Sequence, residues 1–163
     1  MRVFFPVLFV GTLAAALVIW QPRSDANSDF KAAGCFIPTP DGVVLGINRL
    51  LDAVQIPIGS RKANETPQQT AARETQEEIG LDVDVGRLVR TFEDGMVYLF
   101  LCHPKEPIKD YTQLRPQDTL EVSEVLVLDP VTMVNYDGRK ITNAWRFPDN
   151  RPVLIELLKK DTY

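Results

Sequence analysis

The stretch GSRKANETPQQTAARETQEEIGL, residues 59–81, decides how the rest of this 163-residue chain is read. Its second half has helix-forming composition, with Thr66 placed as an N-cap, Pro67 at the first helical position and Gly80 where a left-handed residue would stop the helix. On that helix Glu74, Glu77 and Glu78 stand at i, i+3 and i+4, so their three carboxylates project from one face within reach of each other. Like charges at that spacing repel and would destabilise an isolated helix. A divalent cation or a compensating arginine is the natural reason for them, and Arg73 is adjacent, with Glu65 eight residues upstream in the loop. Hard oxygen ligands of this kind select Mg²⁺ or Mn²⁺ over zinc or copper. Such ions neutralise a diphosphate and polarise its bridging oxygens, while a carboxylate of raised pKa takes a proton from the attacking water.

Outward from the helix, residues 30–163 read as one compact unit with no internal repeat and no second linker. Residues 32–38 and 42–49 are expected as two strands joined into a hairpin by the turn residues Pro40, Asp41 and Gly42. Further strands are expected at 82–92, 96–102 and 124–128, with a turn at Asp94 and Gly95. A last helix is expected over 152–160, presenting Val153, Leu154, Leu157 and Leu158 inward. Strands, a helix, more strands and a closing helix indicate an α/β or α+β sandwich.

The residues quoted above match position by position the signature of the Nudix hydrolases: Gly59, Glu65, Arg73, Glu74, Glu77, Glu78, Gly80 and Leu81. Seven of these positions admit a single residue type, so a chance match in a chain this long is on the order of one in a million. The chain therefore resembles that family over about 130 residues, weakly outside the signature. The resemblance implies an α/β fold, a Nudix-type α/β/α sandwich with a mixed β-sheet, and hydrolysis of the diphosphate in a nucleoside diphosphate linked to another moiety. It implies Glu74, Glu77 and Glu78 as metal ligands, Arg73 and Glu65 as a pair that orients the helix against the loop, and a further acidic ligand from a later loop, with Glu121 the best match and Glu124 second. It also implies a backbone carbonyl ligand just before Gly59, here that of Ile58.

The chain departs from the family pattern at three places. Pro57-Ile58-Gly59 stands where the family usually reads Pro-Gly-Gly, and Ile58 would be strained if that position needs φ above zero. Asn64 replaces a common glycine and tolerates left-handed backbone better than most residues. Thr75 fills a normally apolar slot. None of these removes a carboxylate. A binding or regulatory module without turnover is the alternative, resting on Ile58, and isomerase-type chemistry through a reactive cysteine is a third reading.

The remaining candidates are read from residue type and position. Arg49 and Arg61, with Lys62, cluster around the loop and are candidates for substrate phosphates. His103 reads as a surface histidine, and Tyr98, Phe100, Trp145 and Phe147 read as core.

Composition bounds the partners. Apolar residues make up 45% and charged residues 25%, with 18 Lys and Arg against 22 Asp and Glu, giving a net charge of −4. That balance argues against a nucleic-acid polymer and for a small-molecule diphosphate substrate. With one histidine, His103, and two cysteines, Cys35 and Cys102, a Cys/His zinc cage is short of ligands. The two cysteines lie in apolar runs and are expected as free buried thiols.

Residues 1–29 read as a membrane anchor or a signal peptide followed by a polar linker. Residues 3–20 carry no charge over eighteen positions, enough as an N-terminal hydrophobic helix for roughly 27 Å of bilayer, with Trp20 at interfacial height. Ser24-Asp25-Ala26 equally offers a cleavage site for a secretory signal. Either reading makes the domain membrane-anchored or secreted and periplasmic, on the extracytoplasmic side.

Overall fold

The computed structural model describes residues 30–160. In chain order these form β1 (Ala32–Phe36), β2 (Pro38–Thr39), β3 (Gly42–Asn48), β4 (Ala53–Gln55), β5 (Ile58–Ser60), α1 (Pro67–Ile79), β6 (Val83–Phe92), β7 (Val97–Pro104), β8 (Val122–Asp129), β9 (Val134–Asn135) and α2 (Asn150–Lys160). One sheet runs β5-β1-β7-β6, with β1 and β7 parallel and the other pairs antiparallel, so it is mixed. The second runs β2-β3-β8-β9, with β4 added to β3, and is antiparallel.

Alternation along the strands builds two cores from the same elements. Val43, Leu45, Ile47, Leu126 and Leu128 face one side and pack with Leu154 and Leu157 of α2. Val44, Val127, Cys35, Ile37 and Phe100 face the other and pack with Ala71 and Ile79 of α1. Helices therefore cover both faces of the strands, which is the expected α/β/α sandwich. Removing apolar side chains of this size from water contributes about 1.5–3 kcal/mol each.

The helix signals operate as expected. Thr66 Oγ1 accepts from the Gln69 N–H at 3.2 Å while the Gln69 side chain accepts from the Thr66 N–H at 2.9 Å, a capping box that satisfies two orphan donors. Gly80 closes α1 with φ 78°, and a Cβ there would lie 2.3 Å from the Arg115 carbonyl oxygen, so both the backbone and the space call for glycine. Thr75 is fully buried and donates its hydroxyl to the Ala71 carbonyl at 2.8 Å, which settles the polar atom placed in an apolar slot.

Two expectations are corrected, and three short strands are added. The first two strands do not form one hairpin: the chain leaves β1 at Ile37, β1 pairs with β5 and β7, and only the short β2 returns antiparallel on β3. The short strands β4, β5 and β9 escaped the sequence pattern, being two or three residues long. Cys35 and Cys102 are not free thiols but a disulfide, with Cα atoms 5.5 Å apart. Their 67-residue separation hides the pairing. The parallel register of β1 on β7 sets Cys35 opposite Phe100, which brings Cys102, two residues along β7, within bonding reach.

The N-terminal hydrophobic helix expected over residues 3–20 lies outside the described residues. Among the described residues no helix is long and apolar enough to cross a membrane.

Candidate active site

The inward face of α1 is unusual for a core helix. Its buried positions are Pro67, Thr70, Ala71, Glu74, Thr75, Glu78 and Ile79, so two carboxylates sit where packing alone would place apolar groups. Glu78 is 2% exposed. Its Oε1 accepts from Gln55 Nε2 at 2.7 Å and its Oε2 from the Ile58 N–H at 2.9 Å. Burial pushes its pKa up to about 8, against the smaller opposing effect of the Ile58 hydrogen bond. Burial raises Glu74 too, opposed by Arg73.

Arg73 organises the loop before the helix. Its Nε donates to Glu65 Oε1 at 2.6 Å and its Nη2 to Glu65 Oε2 at 2.9 Å, the two-pronged geometry that suits a planar guanidinium. Nη1 reaches Glu74 at 2.6 Å and Glu77 at 2.9 Å, and Nη2 also reaches the Ser60 carbonyl. The Arg73 hydrogen bonds hold the Glu65 carboxyl down to about 2, helped by the Lys62 N–H and the Thr70 hydroxyl. Arg73 and Glu65 are thus paired.

Glu121 arrives from a distant loop that hangs on the end of α1. The Glu77 carbonyl accepts from the N–H groups of Gln117 at 2.9 Å and Asp118 at 2.8 Å, and the Glu121 carbonyl accepts from the Arg49 N–H at 2.8 Å. Glu74, Glu78 and Glu121 each bring a carboxylate oxygen to within 4.8 Å of the others. Glu77 stands apart from that group, paired through Oε1 with Lys62 Nζ at 3.0 Å and through Oε2 with Arg73. Glu124 is paired with Arg139.

The loop before the helix shows why its glycine is required. A Cβ on Gly59 would lie 2.2 Å from the Glu74 carboxylate, so that side chain rests directly on the Gly59 backbone. Ile58 is an extended residue of β5 and is not among the residues with positive φ, so the feared strain is absent. Asn64 does take a left-handed φ of 65°.

A cavity of about 410 Å³ opens beside Ile58, Gly59 and Ser60, with Phe92, Arg146 and Phe147 on other walls. Arg146 and Gln55 were not found from the sequence. Arg146 donates Nη1 to Gln55 Oε1 at 2.7 Å, and Gln55 in turn holds Glu78, so one amide links a cavity-wall guanidinium to a buried carboxylate. The signal for Gln55 was a lone polar residue in the apolar run AVQIPI.

Of the phosphate candidates, Arg49 directs its Nε at the Thr119 carbonyl and Arg61 lies over the Phe30 ring. His103 is exposed, as expected. Trp145, Tyr98 and Phe100 pack against the cores, whereas Phe147 is 45% exposed on the cavity wall, which corrects its assignment to the core.

The donor set suits a hard divalent cation. It is all oxygen, and it gathers carboxylates of which two are buried and pushed toward neutrality by that burial.

The family model described as NUDIX domain matches residues 30–144, and the chain belongs to the Nudix family. It is 36% identical over 90 residues to an RNA pyrophosphohydrolase of Hydrogenovibrio crunogenus, covering 55% of this chain and 53% of that one, so it spans about half the length of that curated relative. An ADP-ribose pyrophosphatase from Streptococcus suis superposes with TM-score 0.58 at 14% identity, covering 81% of this chain and 93% of that one. A Nudix hydrolase from Nitrosomonas europaea superposes with TM-score 0.58 at 21% identity, covering 80% and 70% respectively. These structural likenesses establish the fold.

Proposed function

We propose that the chain is a divalent-metal-dependent pyrophosphohydrolase that cleaves the diphosphate linkage of a nucleoside diphosphate joined to another moiety, by attack of water on phosphorus. The observation that carries this reading is the convergence of Glu74 and Glu78 of α1 with Glu121 of a distant loop within 4.8 Å, beside Gly59, which also lines the cavity. Mg²⁺ or Mn²⁺ bound there would neutralise the diphosphate and lower the pKa of the attacking water. Glu74, Glu78 and Glu121 hold the cation, with Glu77 and the Ile58 carbonyl as the further donors that the family likeness implies. Arg73 and Glu65 act by orientation, fixing the loop against the helix. A carboxylate of the group accepts the proton of the water. The cavity takes the moiety beyond the diphosphate, with Arg146 and Phe147 on its wall.

The name of the Hydrogenovibrio relative supports diphosphate cleavage, while the net charge of −4 favours a small-molecule substrate over a polymer. The non-turnover alternative rested on Ile58, and its extended backbone leaves a carbonyl there as available as any glycine's. For location we propose an exported or membrane-tethered domain. The uncharged residues 3–20 support it, and so does the Cys35–Cys102 disulfide, since such bonds persist in oxidising compartments.

The test is product release by the full chain from a panel of nucleoside diphosphate conjugates with Mg²⁺ or Mn²⁺. Glu78→Gln and Glu121→Gln should each lower turnover by at least about a hundredfold while remaining folded. Wild-type rates in either variant refute the assignment. Inactivity of the wild type on every conjugate, together with ligand-induced thermal stabilisation, favours the binding module instead.

A further inference from the structure

Two exposed turns lie side by side at the edge of the carboxylate group. The Arg49 N–H donates to the Glu121 carbonyl at 2.8 Å and its Nε to the Thr119 carbonyl at 2.5 Å, so the turn that carries Leu50 is fastened to the turn that carries Leu120. Leu50 is 89% exposed, Leu120 83% and Leu51 58%. Both turns are held in place: the Leu51 N–H donates to Asn48 Oδ1 and the Leu120 N–H to Asp118 Oδ1, each at 2.9 Å. Three large apolar side chains displayed by fixed backbone beside a candidate active site mark a contact surface rather than the scattered exposure found on any protein.

The sequence outside the described residues points to what covers it. Residues 3–20 carry no charge over eighteen positions, and residues 21–29 are the whole tether from there to Phe30. Nine extended residues span at most about 32 Å. A domain leashed that closely meets a bilayer surface at an effective concentration that a soluble partner would not match. The charges flanking the leucines in sequence are one cation, Arg49, and three acids, Asp52, Asp118 and Glu121, an acidic balance that an anionic lipid surface would repel and a zwitterionic one would not.

We propose that Leu50, Leu51 and Leu120 form a lipid-docking rim that seats the domain, active-site edge first, on the zwitterionic bilayer surface to which its N-terminal segment tethers it. This rests on the membrane-tethered reading above, and it is independent of whether the site turns over.

The test uses the full chain in phosphatidylcholine vesicles, with an environment-sensitive fluorophore attached in turn to Leu50→Cys, Leu120→Cys and, as a control on another exposed turn, Val131→Cys. Val131 is 58% exposed, and Cys35 and Cys102 are buried in their disulfide and do not compete for label. Brominated phosphatidylcholine should quench the labels at 50 and 120 at least about twofold and leave that at 131 unchanged. Equal quenching at all three positions, or none, overturns the proposal. So does energy transfer between labelled copies without lipid quenching, which would make a second copy of the chain the occupant. A chain that fails to float with vesicles overturns it by removing the tether. Because quenching is read without substrate, catalytic inactivity leaves this result standing.

Discussion

The side-chain amide of Gln55 donates through Nε2 to Glu78 Oε1 at 2.7 Å and accepts through Oε1 from Arg146 at 2.7 Å and Asn48 at 3.1 Å. Gln55 is 1% exposed, so the amide is a fully enclosed relay between the cavity wall and the most buried carboxylate. Enclosed polar networks are worth most when complete and cost most when broken.

Gln55→Leu should therefore destabilise the chain by about 1–3 kcal/mol, the cost of stranding buried donors and acceptors. The same variant should weaken Mn²⁺ binding, because Glu78 loses the hydrogen bond that orients it. Urea unfolding with and without Mn²⁺ reads both, and unaltered metal affinity would show that the amide serves packing alone.

Acid should act on the loop before the helix. The Glu65 carboxyl is held down to about 2 by Arg73, against 4.5 when unfolded. A lowered folded pKa means the unfolded chain takes up the proton first, so this stabilisation is present above about pH 4.5 and is lost as pH falls through about 2. Glu65→Gln should flatten that part of the acid-unfolding curve, measured by denaturant midpoints across the window. An identical slope in the variant would mean that other carboxylates carry it.

Glu78 should give the opposite slope at higher pH. In the metal-free chain its pKa of about 8 lies above the unfolded 4.5, so its contribution is complete below 4.5 and disappears as pH rises through 8. A cation needs the ionised carboxylate, so Mn²⁺ affinity should climb across that same interval with proton release. Calorimetry in buffers of differing ionisation enthalpy counts the protons, and Glu78→Gln should reduce the release, leaving the share of Glu74, whose carboxyl burial also raises. Mn²⁺ affinity independent of pH there would contradict the assigned role.

The Cys35–Cys102 bridge ties β1 to β7 beneath α1. Reducing it, or making Cys35→Ala with Cys102→Ala, should cost about 2–4 kcal/mol by freeing the unfolded chain. Denaturant midpoints with and without reductant should shift in the wild type and not in the double variant.

Read by itself, the amino-acid sequence determined the central helix and its chemistry. Thr66, Pro67 and Gly80 delimit α1, and Glu74, Glu77, Glu78, Arg73 and Glu65 fall within one loop and one helix, so local spacing alone ties them together. The longer strands were legible for the same reason, since alternation is a property of neighbours along the chain. Tertiary structure alone decided the rest. It brought Glu121 from a distant loop to Glu74 and Glu78, by hanging that loop on the Glu77 carbonyl. It sent β1 to a different sheet from β3, turning two separate cysteines into a bridge, and it gave Gln55 a carboxylate to hold. Each of these joins residues distant in sequence, and such partners are chosen by how the layers pack, which no local pattern records.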